Sequence, residues 1–131
     1  MTMLSQQIKT ADWKNEKHVP TIECPDSVAA DQFFTVKATL GKAVAHPNTT
    51  EHHIRWIELY YTPDGAPAPY QVARFEFTAH GEAVAGANAG PVYTNHEGCA
   101  SLKISKSGVL QALAYCNIHG VWESEKKISV E

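Results

Sequence analysis

Apolar and polar positions alternate with a period of two over most of the chain. Within Ser27 to Leu40, the residues Phe34, Val36, Ala38 and Leu40 oppose Thr35, Lys37 and Thr39, which predicts a half-buried strand. His53 to Thr62 is rich in Ile, Trp, Leu and Tyr, and Pro63-Asp64-Gly65 ends it with turn chemistry. Tyr70 to Thr78 alternates again, with Gln71, Ala73, Phe75 and Phe77 on one face. Ser101 to Ser105, Val109 to Cys116 and Val121 to Val130 are further strand candidates, and Lys106-Ser107-Gly108 reads as a hairpin turn. The small, glycine-containing run Ala79 to Gly90 reads as a loop or an irregular strand. No segment carries a long 3.6-residue apolar period. The pattern predicts an all-β sandwich or barrel of immunoglobulin-like size. No cysteine pair is placed to bridge its sheets around a buried tryptophan.

A length of 131 residues suits one domain, 1–131, with residues 1–12 as a loosely held arm or an assembly contact. Hydrophobic residues at 44% and charged residues at 19% give an ordinary globular balance, which argues against disorder. A net charge of −3 argues against nucleic acid as the main partner, because phosphate binding needs a basic excess. The polar stretch Met1 to Pro20 lacks a signal-peptide pattern, and no run approaches the roughly 20 apolar residues of a membrane span. The expectation is a cytoplasmic protein without a membrane partner. Cys24, Cys99 and Cys116 lie far apart and form no C-x-x-C pair, so neither a disulfide framework nor a rubredoxin-like or zinc-ribbon centre is indicated.

The histidines change the picture through their placement. His18 follows Glu16-Lys17 and precedes Val19-Pro20; His46 opens His46-Pro47-Asn48-Thr49-Thr50-Glu51-His52-His53; Cys116-Asn117-Ile118-His119 comes near the end. All three groups fall in predicted loops or at strand ends, where binding residues concentrate. Each alone is a weak signal, since a lone cysteine is more often a small buried hydrophobe. Three groups on one small β domain point to a shared metal site. Four imidazoles and a thiolate exceed the four donors of a closed zinc site. A blue-copper electron carrier is a rival, but its usual axial methionine is missing: the only methionines, Met1 and Met3, lie far upstream of Cys116. A plain immunoglobulin-like binding module with incidental histidines is the third reading. His53, His80 and His96 read as non-ligands, with His96 on the surface. Trp13, Trp56 and Trp122 read as core or interface aromatics.

Glu16-Lys17-His18-Val19-Pro20, His46 to His53 and Cys116-Asn117-Ile118-His119-Gly120 resemble the three ligand motifs of the superoxide reductase family, which comprises neelaredoxin and the iron domain of desulfoferrodoxin. Asp12-Trp13-Lys14 and Phe77 to Glu82 also resemble family segments. The resemblance implies a seven-stranded immunoglobulin-like β-barrel and one iron per chain. Its ligands would be four equatorial histidines, His18, His46, His52 and His119, with Cys116 axial. It implies an oxidoreductase that reduces superoxide to hydrogen peroxide without releasing dioxygen. Glu16 would bind the oxidised metal at its open position, and Lys17 would guide the anion. The cysteine-rich domain of desulfoferrodoxin is not present, so the resemblance is to the one-iron, homotetrameric form, with rubredoxin as electron donor. Backbone N–H groups of Ile118 and His119 are candidates to tune the thiolate by hydrogen bonding.

Overall fold

The alternating segments become two facing sheets, because each strand has one apolar face to bury. Residues 2–131 are described in this computed structural model; Met1, the first residue of the expected arm, lies outside them. In chain order the elements are α1 (Leu4–Gln7), β1 (Thr21–Glu23), β2 (Ser27–Val28), β3 (Phe34–Thr39), β4 (Ile54–Pro63), β5 (Tyr70–Glu76), β6 (Glu97–Leu102), β7 (Gly108–Cys116) and β8 (Gly120–Val130). One sheet has the order β1-β3-β6 and the other β2-β8-β7-β4-β5. The architecture is the all-β immunoglobulin-like class that the pattern predicts. Seven strands have three residues or more; the two-residue β2 adds a short parallel pairing with the end of β8.

Between the sheets lies one core. Val36 and Ala38 from β3 meet Ile57 and Leu59 from β4, Leu110, Ala112 and Ala114 from β7, and Ile128 from β8. Ile57 and Leu59 are fully buried, each stabilising the fold by about 1.5–3 kcal/mol relative to an exposed position. Cys116, at the end of β7, is 1% exposed and belongs to this core.

Several expectations need correction. Lys106-Ser107-Gly108 makes no hairpin: β6 pairs with β3 and β7 with β4, so the turn carries the chain from one sheet to the other. On β5, Gln71 is exposed while Val72 packs on the core. Two residues of β5, 71 to 73, span one step of β4, 60 to 59, and this bulge breaks the alternation at Val72. Strand β6 begins at Glu97, earlier than the expected Ser101, since its ladder to β3 starts with Glu97 opposite Thr39; within it Gly98 leaves room for Phe75, where a Cβ would come within 2.4 Å of the ring. The expected strand Ser27 to Leu40 is split between β2 and β3, with Asp31 in a left-handed conformation at φ 60°.

The start of β1, end of β3, start of β4, start of β6, end of β7 and start of β8 deliver the segments before β1, between β3 and β4, before β6, and between β7 and β8 to one end of the sandwich. These segments carry the candidate residues.

Candidate metal centre

The β7–β8 hairpin supplies the tightest part of the site. Asn117-Ile118-His119 forms the turn, and Cys116 pairs with Gly120. Gly120 sits at φ 84°, a conformation that glycine adopts without the steric cost of a Cβ. The turn brings His119 Nδ1 to 3.7 Å from Cys116 Sγ. It also lets the His119 backbone N–H donate to the sulfur at 3.4 Å. Of the two amides expected to do this, His119 is observed; the bonds of Ile118 do not include one to the sulfur. Opposite Cys116, strand β4 carries an extra residue, since Ile54 pairs with Cys116 and Trp56 with Tyr115. That bulge at Arg55 re-aims the chain as it enters β4 from His52-His53.

His18 and His52 complete a cluster with these two. One donor atom from each of His18, His52, Cys116 and His119 lies within 4.8 Å of the others. His119 Nδ1 is 3.1 Å from His18 Nε2 and 3.2 Å from His52 Nε2. Lone pairs this close repel unless a proton or a cation lies among them. Two nitrogens each about 2.1 Å from one metal, at right angles, stand about 3.0 Å apart. The observed spacings match that arrangement.

His46 falls outside that four-atom group but packs edge-on against two of its members. Its ring centroid is 5.0 Å from that of His18 and 4.8 Å from that of His52. Its Nδ1–H donates to the Pro47 carbonyl at 2.6 Å, which leaves Nε2 as a lone-pair acceptor. That Nε2 is buried without a hydrogen-bond partner. A buried unpaired acceptor costs about 1–3 kcal/mol, so the atom fits a role as a metal donor. Burial, reinforced by His18, His52 and His96, brings the His46 imidazole down to about 4 against the pull of Pro47. Burial also lowers His18 and His52. All three are therefore held neutral, as ligation requires.

Glu16 and Lys17 sit on the segment before β1. Glu16 Oε1 accepts both the His18 Nδ1–H, at 2.6 Å, and the His18 backbone N–H, at 3.0 Å. It therefore lies on the far side of that imidazole from Nε2. Burial raises the Glu16 carboxyl, but the bonds from His18 outweigh it and hold the group below its ordinary value. Lys17 makes no ion pair among the described residues, and its charge acts on His18 and His52.

The other histidines point elsewhere. His53 Nδ1–H donates to the Thr49 carbonyl at 2.8 Å, and its ring stacks on His80 with centroids 3.6 Å apart. His80 donates its Nε2–H to the Phe77 carbonyl at 2.8 Å, away from the donor cluster. His96, expected on the surface, is buried, edge-on to His46 at 5.9 Å between centroids. It directly precedes β6, and the start of that strand sets it against His46. None of the three tryptophans joins the core cluster. Trp122 instead stacks on His18, a contact with no signature in local sequence.

A model of the desulfoferrodoxin family matches residues 10–125. The chain belongs to the desulfoferrodoxin family. Its relatives in that family include the neelaredoxin of Megalodesulfovibrio gigas, 59% identical over 98% of each chain. The superoxide reductase of Pyrococcus furiosus is 54% identical over 94% of this chain and 97% of its own. The structure of superoxide reductase (neelaredoxin) from Archaeoglobus fulgidus in the reduced form covers 94% of this chain and 98% of its own, with TM-score 0.87 and 50% identity. Membership of the desulfoferrodoxin family thus spans the hairpin, the His46–His53 loop and the segment before β1 together.

Proposed function

We propose that this chain is a superoxide reductase, an oxidoreductase holding one iron through His18, His46, His52, His119 and Cys116. The observation that carries the reading is the convergence of three imidazole nitrogens and one thiol, with the His46 ring packed against two of the imidazoles and its Nε2 buried and unpartnered. A set of four nitrogens and one thiolate suits iron better than a closed zinc site. No methionine approaches from the Cys116 turn, so nothing favours the copper alternative.

Bound iron supplies the single electron that, with two protons, converts superoxide to hydrogen peroxide. The protein does the rest. Cys116, fixed by the β4–β7 ladder, presents its sulfur from the buried side, and the His119 N–H moderates its charge. Three neutral imidazoles add no charge of their own, so a cationic centre persists in a chain of net charge −3. Such a local charge draws a small anion, because distant charges are screened. Lys17 reinforces that attraction and donates a hydrogen bond to the anion, directly or through water. Glu16 holds His18 by accepting its Nδ1–H. Were the bound iron oxidised, Glu16 would be the carboxylate placed to balance the added positive charge, and it would have to give up that bond to do so.

The finer reading is a homotetramer in the cytoplasm, taking electrons from rubredoxin, with 1–131 as one domain and residues 1–12 as its arm. No helix among the described residues is long and apolar enough to cross a membrane. The test is anaerobic purification, metal analysis and superoxide consumption. One iron per chain, with peroxide formed and no dioxygen released, is expected; copper, or no metal, overturns the reading.

A further inference from the structure

Trp122 touches two of the proposed donor residues at once. Its indole lies nearly parallel to the His18 imidazole, with ring centroids 5.0 Å apart and planes 19° apart. Its Nε1–H donates to the His119 backbone carbonyl at 3.2 Å. The indole is itself held from the N-terminal segment. The Lys9 N–H donates to the Val121 carbonyl at 3.2 Å, and the Glu123 N–H donates to the Lys9 carbonyl at 2.8 Å, one bond on each side of Trp122. The Lys9 ammonium lies 5.6 Å from the indole centroid.

An imidazole donor has two orientations to fix: the direction of its lone pair and the plane of its ring. At His18 the Glu16 bond to Nδ1 sets the first. A flat face against the ring sets the second, and Trp122 supplies it. We propose that Trp122 is a positioning residue of the metal centre, holding the His18 plane by stacking and the His119 turn by its N–H, with Lys9 bracing it. The proposal rests on the iron-binding reading above. The electron-rich indole face also favours positive charge on the imidazole it covers, hence the oxidised state of the centre.

The test uses the full chain loaded anaerobically with ferrous iron, as wild type, Trp122→Phe and Trp122→Leu. At the applied potential that half-oxidises the wild type, Trp122→Leu is expected to hold about tenfold more ferrous than ferric iron, a rise of about 59 mV for a one-electron couple. Its ferric paramagnetic-resonance spectrum should change as the His18 plane relaxes. Trp122→Phe keeps an aromatic face but no N–H. It should retain a near-wild-type potential while releasing iron to a chelator about three- to tenfold faster, the loss of one hydrogen bond. An iron-loaded Trp122→Leu with unchanged potential and spectrum overturns the proposal. If Trp122→Leu does not fold or hold iron, Trp122→Phe decides, and release at the wild-type rate overturns it. Neither readout uses superoxide, and a wild type that binds no iron overturns the iron reading instead.

Discussion

Asn117 and His53 are bonded to each other twice. The His53 N–H donates to Asn117 Oδ1 at 2.9 Å, and the Asn117 N–H donates to the His53 carbonyl at 3.2 Å. The Asn117 side-chain amide also donates to the Glu51 carbonyl at 2.8 Å. One residue of the Cys116–His119 turn thus clasps both flanks of His52. Asn117→Ala should cost about 1–3 kcal/mol of stability from the unpaired peptide groups. Iron affinity should fall roughly tenfold, as for other groups that orient ligands. Asn117→Asp keeps the acceptor and loses the donor, so it should fall between. Thermal unfolding and chelator competition read the two effects; wild-type affinity in Asn117→Ala would discount the clasp.

Cys116→Ser should abolish the thiolate-to-iron absorption band and most activity, because an oxygen donor places far less electron density on the metal. Iron bound with an unchanged visible spectrum would refute the role given to Cys116.

The metal-free protein should lose stability as pH falls between 6.5 and about 4, in part through His46. Its imidazole is brought down from 6.5 to about 4 by burial. The unfolded chain therefore binds more protons in this window, and stability rises with pH across it. The full contribution, present above 6.5 and absent below about 4, is about 3 kcal/mol. His46→Leu should flatten the slope of urea stability against pH. An equally steep slope in that variant would assign it to other groups.

Lys17 and Glu16 separate kinetically. Lys17→Ala should slow the second-order reaction with superoxide roughly tenfold, and the residual rate should depend less on salt. Glu16→Ala should barely change that rate but alter the ferric spectrum. Pulse radiolysis over a salt series distinguishes them: an unchanged rate and salt slope in Lys17→Ala would remove the steering role.

The strands with clear alternation, β3, β4, β7 and β8, were legible because burial on one face is written every second residue. Less was legible where small residues carry the packing: Gly98 under Phe75 hides the start of β6. The bulge at Val72 inverts part of β5 through a pairing that no local pattern records. At the site, the spacing of His18, His46, His52, Cys116 and His119 pointed to a shared centre, and the fold brings them to one end. Trp122 and Asn117 were not legible as site residues. Their contacts run to His18, more than a hundred positions away, and to Glu51, and arise only when the hairpin closes. His96 misled for the same reason: a polar neighbourhood in sequence lies against His46 in space.

The β4–β7 ladder acts as a gauge for the sulfur. Its pairs run from Pro63 opposite Gly108 to Ile54 opposite Cys116, with one counted irregularity at Arg55. A single added or deleted residue in β7 would turn Cys116 outward and bring a neighbour into its place. Residues 84–87 are exposed on a loop far along the chain from any proposed donor, and length there carries no such penalty. Tolerance to insertion should therefore divide the chain sharply. An insertion at residues 84–87 should leave the fold and the metal site intact, while one between Gly108 and His119 should cost the thiolate its place.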